Sequence, residues 1–453
     1  MKKNLHTEKK IVKNMILLVF FISSNFLLGQ SWHTFNADNS SLTTTAINYV
    51  YAENDSSIWL CTSDQGIVQF DGHQFTAHNS TSGEGLDCDQ FLCIIKDQSG
   101  IFWLASEYNG LYKYDQGVFS RYTPADMGFN LGAYELLTLT RLAIQNGGPD
   151  NENGALWIGT YQHGLIKFDG TNWEHYNYQS GNLPDNGIHA LAVEESPSTD
   201  DYVLWVGTGN GLIKFDGTSW SNVKIEDDST KWVNAIAFED GGISFSEGTM
   251  YVGAETGEFC ITEGTNWQIF NLADAWNPNN SVTDIKIDAT KKKWIATSDE
   301  GLYFYDGTQI PAYNTENSAI PSNNIYTIDV SNNNDSSHVW MSNNGLTVYT
   351  EANLTDIKLN TAGQSMKLNN YPNPFSQSTT ISYTIPNNIG ETHVSLSIFN
   401  LIGQKISQLV DTDQSPGTYQ CTFHAANLKS GIYFYQIKVG KLLQKKKMIV
   451  TDN

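Results

Sequence analysis

Seven short tips recur along this chain: Asp64-Gln65, Tyr108-Asn109, Tyr161-Gln162-His163, Gly209-Asn210, Glu255-Thr256, Asp299-Glu300 and Asn343-Asn344. The words around them repeat while the tips themselves vary. Aromatic, amide and carboxylate groups gathered in one place could hold a sugar or a peptide. Polar tips are also what any water-facing turn shows, so no single tip decides the matter. His163, His189 and Arg141 add groups able to hold or move a proton. No nucleophile or metal word accompanies them. GxSxG, HExxH and the P-loop are absent. No DxDxDG loop with a closing Glu occurs, which excludes an EF-hand. An enzyme that scatters its catalytic residues over a repeated scaffold shows no motif either. A secreted enzyme acting on glycans therefore stays open beside a non-catalytic binding module.

The elements that position the tips are written seven times. They read IWLCTSDQGIVQFDG (58–72), FWLASEYNGLYKYDQG (102–117), LWIGTYQHGLIKFDG (156–170) and LWVGTGNGLIKFDG (204–217). MYVGAETGEFCITEG (250–264), KWIATSDEGLYFYDG (293–307) and VWMSNNGLTVY (339–349) follow. The anchors are Trp59, Trp103, Trp157, Trp205, Tyr251, Trp294 and Trp340, spaced 44, 54, 48, 46, 43 and 46 residues apart. A strand-like unit repeated in the mid-forties is what the blade of a β-propeller needs.

Each unit reads as four strands. An apolar stretch such as IHALAV (188–193) is strand a, expected to be innermost and buried on both sides. The LWIGT word is strand b and the GLIKF word is strand c. Asp-Gly then predicts a tight type I′ hairpin at 71–72, 169–170, 216–217 and 306–307, because both central residues of that turn need positive φ. Strand d follows, as in WEHY (173–176). Seven c strands are followed by only six d strands, and WHTF (32–35) near the start has the missing pattern. The N-terminal strand is therefore predicted to complete the last blade and close the ring without a free edge. The fold class is all-β: a seven-bladed propeller followed by a small immunoglobulin-like sandwich. The recurring Trp is a core residue in this reading, and the Asp-Gly aspartates are turn formers.

The LWIGT…GL…DG words resemble the propeller repeats in the periplasmic sensor regions of hybrid two-component regulators. The resemblance covers most of 31–355. It weakens in the fifth unit, which has Tyr251 and Glu263-Gly264, and the seventh lacks Asp-Gly. It implies ligand sensing, so a third reading is a sensing partner of a separate membrane receptor.

The repeat stops near Leu359. The alternating runs TTISYTI (379–385), VSLSIF (394–399) and GIYFYQIKV (431–439) predict a small antiparallel sandwich. YPNPF (371–375), IFNLIGQKI (398–406), LKSGIYFYQIKVG (428–440) and KKKMIV (445–450) resemble the type A C-terminal sorting domain of the type IX secretion system. That resemblance implies a partner, the type IX export machinery, and a protein released or attached outside a Gram-negative cell. The expected organisation is a signal peptide at 1–30, a propeller at 31–358, a linker at 359–369 and the sorting domain at 370–453.

Charge and composition agree with export. Lys2, Lys3, Lys9, Lys10 and Lys13 precede the apolar run Met15–Gly29, which suits a secretory signal and is short for a membrane span. No later run is long enough to span, so no membrane-crossing segment is expected in the mature protein. Residues 31–365 hold 13 basic and 43 acidic residues, a net of −30. Such a surface repels nucleic acid and anionic membranes. It also repels polyanionic glycans unless a cation such as Ca²⁺ bridges them; no other cofactor is expected. The five cysteines have no metal spacing, and either a Cys61–Cys93 pair or five separate thiols fits an exported protein.

Overall fold

The computed structural model describes residues 30–352, 368–385, 392–399, 405–425, 428–439 and 442–451. Residues 133–134, 227, 240–241, 245–247, 265, 273–279 and 333–335 are excepted. The predicted signal peptide, nearly all of the predicted linker and the central LIGQ of the tail lie outside the described residues. The chain divides into two compact units, one within 28–353 and one within 354–453. Every regular element among the described residues is a strand.

The first unit is a propeller of seven four-stranded antiparallel sheets. Blade 3 shows the plan: Leu139–Gln145 (a), Ala155–Thr160 (b), Leu165–Phe168 (c) and Trp173–Tyr176 (d). Blade 7 pairs Ile328–Asn332, Ser336–Ser342 and Leu346–Ala352 with Gln30–Phe35 from the start of the chain. Trp32 lies opposite Tyr349 in that last ladder. Both chain ends thus share one sheet, and the ring closes as the count of strands requires.

Strand b is the buried layer, with all six residues of Ala155–Thr160 inaccessible. Strand a departs from the expectation of burial on both sides. In Val282–Ile287 only Val282 and Ile285 are fully buried, and Thr283, Asp284 and Lys286 line the central channel. Adjacent a strands belong to different sheets and share no ladder, so side chains bridge them. Asn48 Nδ2 donates to Phe91 O at 2.8 Å, Thr140 Oγ1 to Ile188 O at 2.7 Å, and Thr283 Oγ1 to Ile325 O at 2.6 Å. Asp329 Oδ2 accepts the Ala52 N–H at 2.7 Å and joins the last blade to the first.

The repeated Trp is buried in every blade that has one. Its indole N–H needs an acceptor there, and the polar residue near the end of strand a supplies it. Asp97, Gln145, Glu194 and Asp288 accept from Trp103, Trp157, Trp205 and Trp294 at 2.8 Å each. Ser331 accepts from Trp340 at 2.9 Å. In blade 5 the Tyr251 hydroxyl donates to Glu239 at 2.7 Å, so the replacement keeps the bond. Blade 1 is the exception: Trp59 Nε1 is buried without a partner among the described residues. A bulge at Glu53 breaks the register there, and the carboxylate pairs with Lys96 instead.

The c–d turns differ from the type I′ expectation. Phe70 pairs with Phe75 and Phe168 with Trp173, so each loop has four residues rather than two. Only the glycine has positive φ, as at Gly170 (93°). The aspartate instead accepts two backbone N–H groups ahead of it; Asp169 Oδ1 takes those of Thr171 and Asn172. A true two-residue turn with both φ positive occurs in blade 2, at Gln116 (49°) and Gly117 (87°).

The second unit is a sandwich. Leu368–Tyr371, Ser378–Ile385 and Gly417–His424 form one sheet. Thr392–Phe399, Lys405–Gln414, Gly431–Val439 and Leu442–Val450 form the other. Alternation in Ser378–Ile385 places Thr379, Ile381, Tyr383 and Ile385 inside. Phe375 of YPNPF is buried in the same core, and its backbone pairs with Ile449 and Thr451.

Candidate functional site

The b–c turns and the d–a connections lie on one face of the propeller, at the channel mouth. In blades 1, 2, 3, 6 and 7 a glycine must end the b–c turn because the end of strand d passes directly beneath it. A Cβ on Gly164 would lie 2.2 Å from Tyr176 O. This fixes where the tips sit and leaves their side chains free to differ.

The structure places the predicted tips unevenly. Asp64, Tyr108, Tyr161, Gln162, Asn210, Glu255 and Asp299 are exposed, while Gln65, Asn109, His163 and Glu300 are half-buried. Several are engaged locally. Asp64 accepts from Thr44 Oγ1 at 2.7 Å, and His163 Nε2 lies 3.4 Å from Leu136 O. The Tyr108 hydroxyl donates to Glu107, which holds its pKa above the usual phenol range. Asn343 is buried rather than displayed: its N–H bonds Gly345 O and its Nδ2 bonds Ser322 O. The neighbouring Asn344 is the exposed tip of blade 7.

The densest grouping lies over blades 3 to 5. Trp232, just before strand a of blade 5, packs its ring 4.8 Å from His189. His189 Nε2 lies 3.2 Å from where a Cβ on Gly187 would be, and Asp185 Oδ2 lies 2.7 Å from where one on Gly209 would be. Those two glycines make room for the His189–Asp185 corner. Burial lowers the His189 pKa, and Arg141 lowers it further. Beside them Glu255 accepts from Asn234 Nδ2 at 2.6 Å and Ser281 Oγ at 2.9 Å. Tyr108, Tyr161, Tyr178, Trp232 and Tyr326 are each at least 41% exposed on this face. Of these, only Tyr108 and Tyr161 stand on b–c tips. Tyr178, Asp185, Trp232, Ser281 and Tyr326 belong to the d–a connections or the start of strand a. A polar break before each apolar a word is the signal that points to them.

Below the mouth the lumen narrows to about 90 Å³. One wall is the alanines of blades 4 and 5, Ala190 and Ala235 among them. The facing wall carries Tyr49, Asp284 and Lys286. Burial works against the Lys286 ammonium, but the Asp284 and Asp329 carboxylates favour its charged form, and its pKa lies well above its ordinary range. A space this small admits a few waters or one functional group, against the several hundred Å³ of a usual small-molecule site. A wider recess of about 440 Å³ opens on the opposite face, between Ile144, Val193 and Phe238. Its acids are already used: Glu194 by Trp205 and Glu195 by the Asn146 N–H. Cys61, Cys88, Cys93, Cys260 and Cys421 are free thiols, so no Cys61–Cys93 bond forms. Among the described residues no cluster of three or more His, Cys, Asp or Glu could hold a metal ion. No described helix is long and apolar enough to cross a membrane.

Residues 369–451 match the family described as the secretion system C-terminal sorting domain. The tail is a secretion sorting domain. Its carrier is an exported protein, secreted or attached to the outer surface of the cell. No curated protein is similar enough in sequence to be matched with the chain. Two of the solved structures that share its architecture show the likeness. PorZ of Porphyromonas gingivalis, described as an essential surface component of the type IX secretion system, is 17% identical with a TM-score of 0.52. The extracellular domain of BT4673 from B. thetaiotaomicron, assigned to a hybrid two-component system, is 15% identical with a TM-score of 0.51. The alignments cover 90% and 78% of this chain, but only 59% and 46% of those proteins. At such identities the likeness establishes the fold. The sorting domain and the propeller are thus two recognisable parts.

Proposed function

We propose that the exported propeller binds an extracellular ligand on its b–c face without altering it chemically. The sorting domain delivers it to the outside, and the rim does the binding. One observation carries this reading: exposed aromatic rings and polar groups crowd the mouth of a channel too narrow to swallow a ligand. Flat rings that water solvates poorly suit the faces of sugar rings, while amides and carboxylates between them give orientation. A glycan is the ligand that fits such a shallow, aromatic rim best.

The same geometry disfavours hydrolysis or elimination. Such chemistry gains from a closed, dry site. Here the rim is open and the lumen below admits no substrate. His189 is pushed toward its neutral form, and its ring packs on Trp232 with no hydrogen bond to Asp185 among the described residues.

The test is a glycan and peptide array probed with the mature chain, with and without Ca²⁺. Capture of a glycan that falls at least tenfold in Tyr161→Ala or Trp232→Ala, with melting unchanged, is the expected result. Degradation of an array glycan would replace this reading with the enzymatic one. Capture of peptides alone would move the function to a protein partner.

A further inference from the structure

Arg141 is the anomaly of the lumen. It projects from strand a of blade 3 into the narrow cavity below the mouth. An arginine offers five N–H donors and cannot shed its charge. Here one of them, on Nη1, reaches Thr140 O at 2.9 Å. Among the described residues no carboxylate lies within ion-pair distance of it. The lumen's other cation, Lys286, is the one that faces Asp329, at 3.9 Å. Asp284 on the same wall already accepts the Thr327 hydroxyl and the Ile328 N–H. A half-buried cation without an anion is costly, and it is odd in a region whose net charge is −30. The Tyr49 hydroxyl lines the same cavity and has no hydrogen bond among the described residues. Burial drives its pKa above the usual phenol range, so it stays a donor.

We infer that the mouth accepts a single carboxylate, that of a terminal uronic acid, onto Arg141 with the Tyr49 hydroxyl beside it. The inference rests on the binding reading above and names the ligand class. Size supports it, since about 90 Å³ admits a carboxylate and not a chain. The pyranose ring is then left at the rim, where Tyr161, Trp232 and Tyr326 are exposed. The surface charge limits the ligand to one acid at its tip, because a run of uronates would meet the acidic exterior. A peptide C-terminus fits less well. Its backbone amides need partners, and Asn234, Ser281 and Glu255 are bonded to one another while Asn48 holds Phe91.

The mature chain is titrated with D-glucuronate, D-glucose and a short neutral peptide with a free carboxylate, following tryptophan fluorescence. Glucuronate is expected to bind at least tenfold more tightly than glucose. Arg141→Gln should erase that preference, and Arg141→Lys should keep part of it. Without ligand, Arg141→Gln should melt no lower than the parent, since it removes an uncompensated charge; a purely structural arginine would lower the melting point. Equal affinity for both sugars, a preference that survives in Arg141→Gln, or binding of the peptide alone overturns the inference. If the array still captures a neutral glycan and Trp232→Ala abolishes that capture, the binding reading stands without the carboxylate.

Discussion

The b strands and the tips that follow them have at most one residue between them, yet they obey opposite rules. Trp157 is buried, hydrogen-bonded to Gln145 and covered by Lys167, whose Nζ lies 5.5 Å above its ring. Tyr161 stands in water. The Trp, its acceptor and its cation recur in blades 2 and 4, with Asp97 and Lys113, then Glu194 and Lys214. At the tips the matching residues are Glu107, Tyr161, Gly209 and Glu255. Identical packing problems select identical side chains, whereas a ring of seven identical tips could recognise only a seven-fold object. The irregular layer is the one that can hold an asymmetric ligand.

The largest effect should come from breaking the buried side of this contrast. Trp157→Ala is expected to cost about 3–5 kcal/mol by chemical denaturation, because it removes a filled aromatic site. A second substitution pair sharpens the repeat itself. Trp103→Phe strands the Asp97 oxygen that accepted its indole, while Trp59→Phe strands nothing. The first should therefore cost about 1–3 kcal/mol more than the second. Equal costs would mean that the acceptor contributes nothing. Tyr161→Ala tests the exposed side: stability should stay within about 0.5 kcal/mol of the parent while ligand affinity falls at least tenfold.

The smallest effect is a pH dependence at the turns. The Ser219 and Thr218 N–H groups and hydroxyls hold the Asp216 pKa well below the usual carboxylate range. Its contribution to stability is present above the unfolded value of about 3.9 and is lost as pH falls through the lower folded value. Asp216→Asn keeps an acceptor but does not titrate. Its melting temperature should fall less steeply than the parent's below about pH 4, as followed by circular dichroism.

The repeating layer was the legible part. Trp spacing, the alternation of strand d and the orphan WHTF word led to seven blades and their closure, because those features follow from burial period alone. Local geometry was less so. Asp-Gly reads as a two-residue turn, but the Phe168–Trp173 pairing leaves four residues, and the aspartate works as a side-chain cap. The burial of Asn343 depends on Ser322, a residue 21 positions away that no local pattern connects to it. The tips drew attention because they vary inside a fixed frame. Trp232 and Asp185 did not stand out at the rim, because only the closed ring brings connections from different blades together; Arg141 and His189 were legible as residue types, but not in their neighbours.

The central claim is that ligand binding belongs to the b–c face. The direct measurement is the affinity of one array-selected glycan for Trp232→Ala and for Phe238→Ala, which lines the recess on the opposite face. At least a tenfold loss is expected in the first and no change in the second. The reverse outcome, with both proteins folded, would contradict it and move the site to the other side of the propeller.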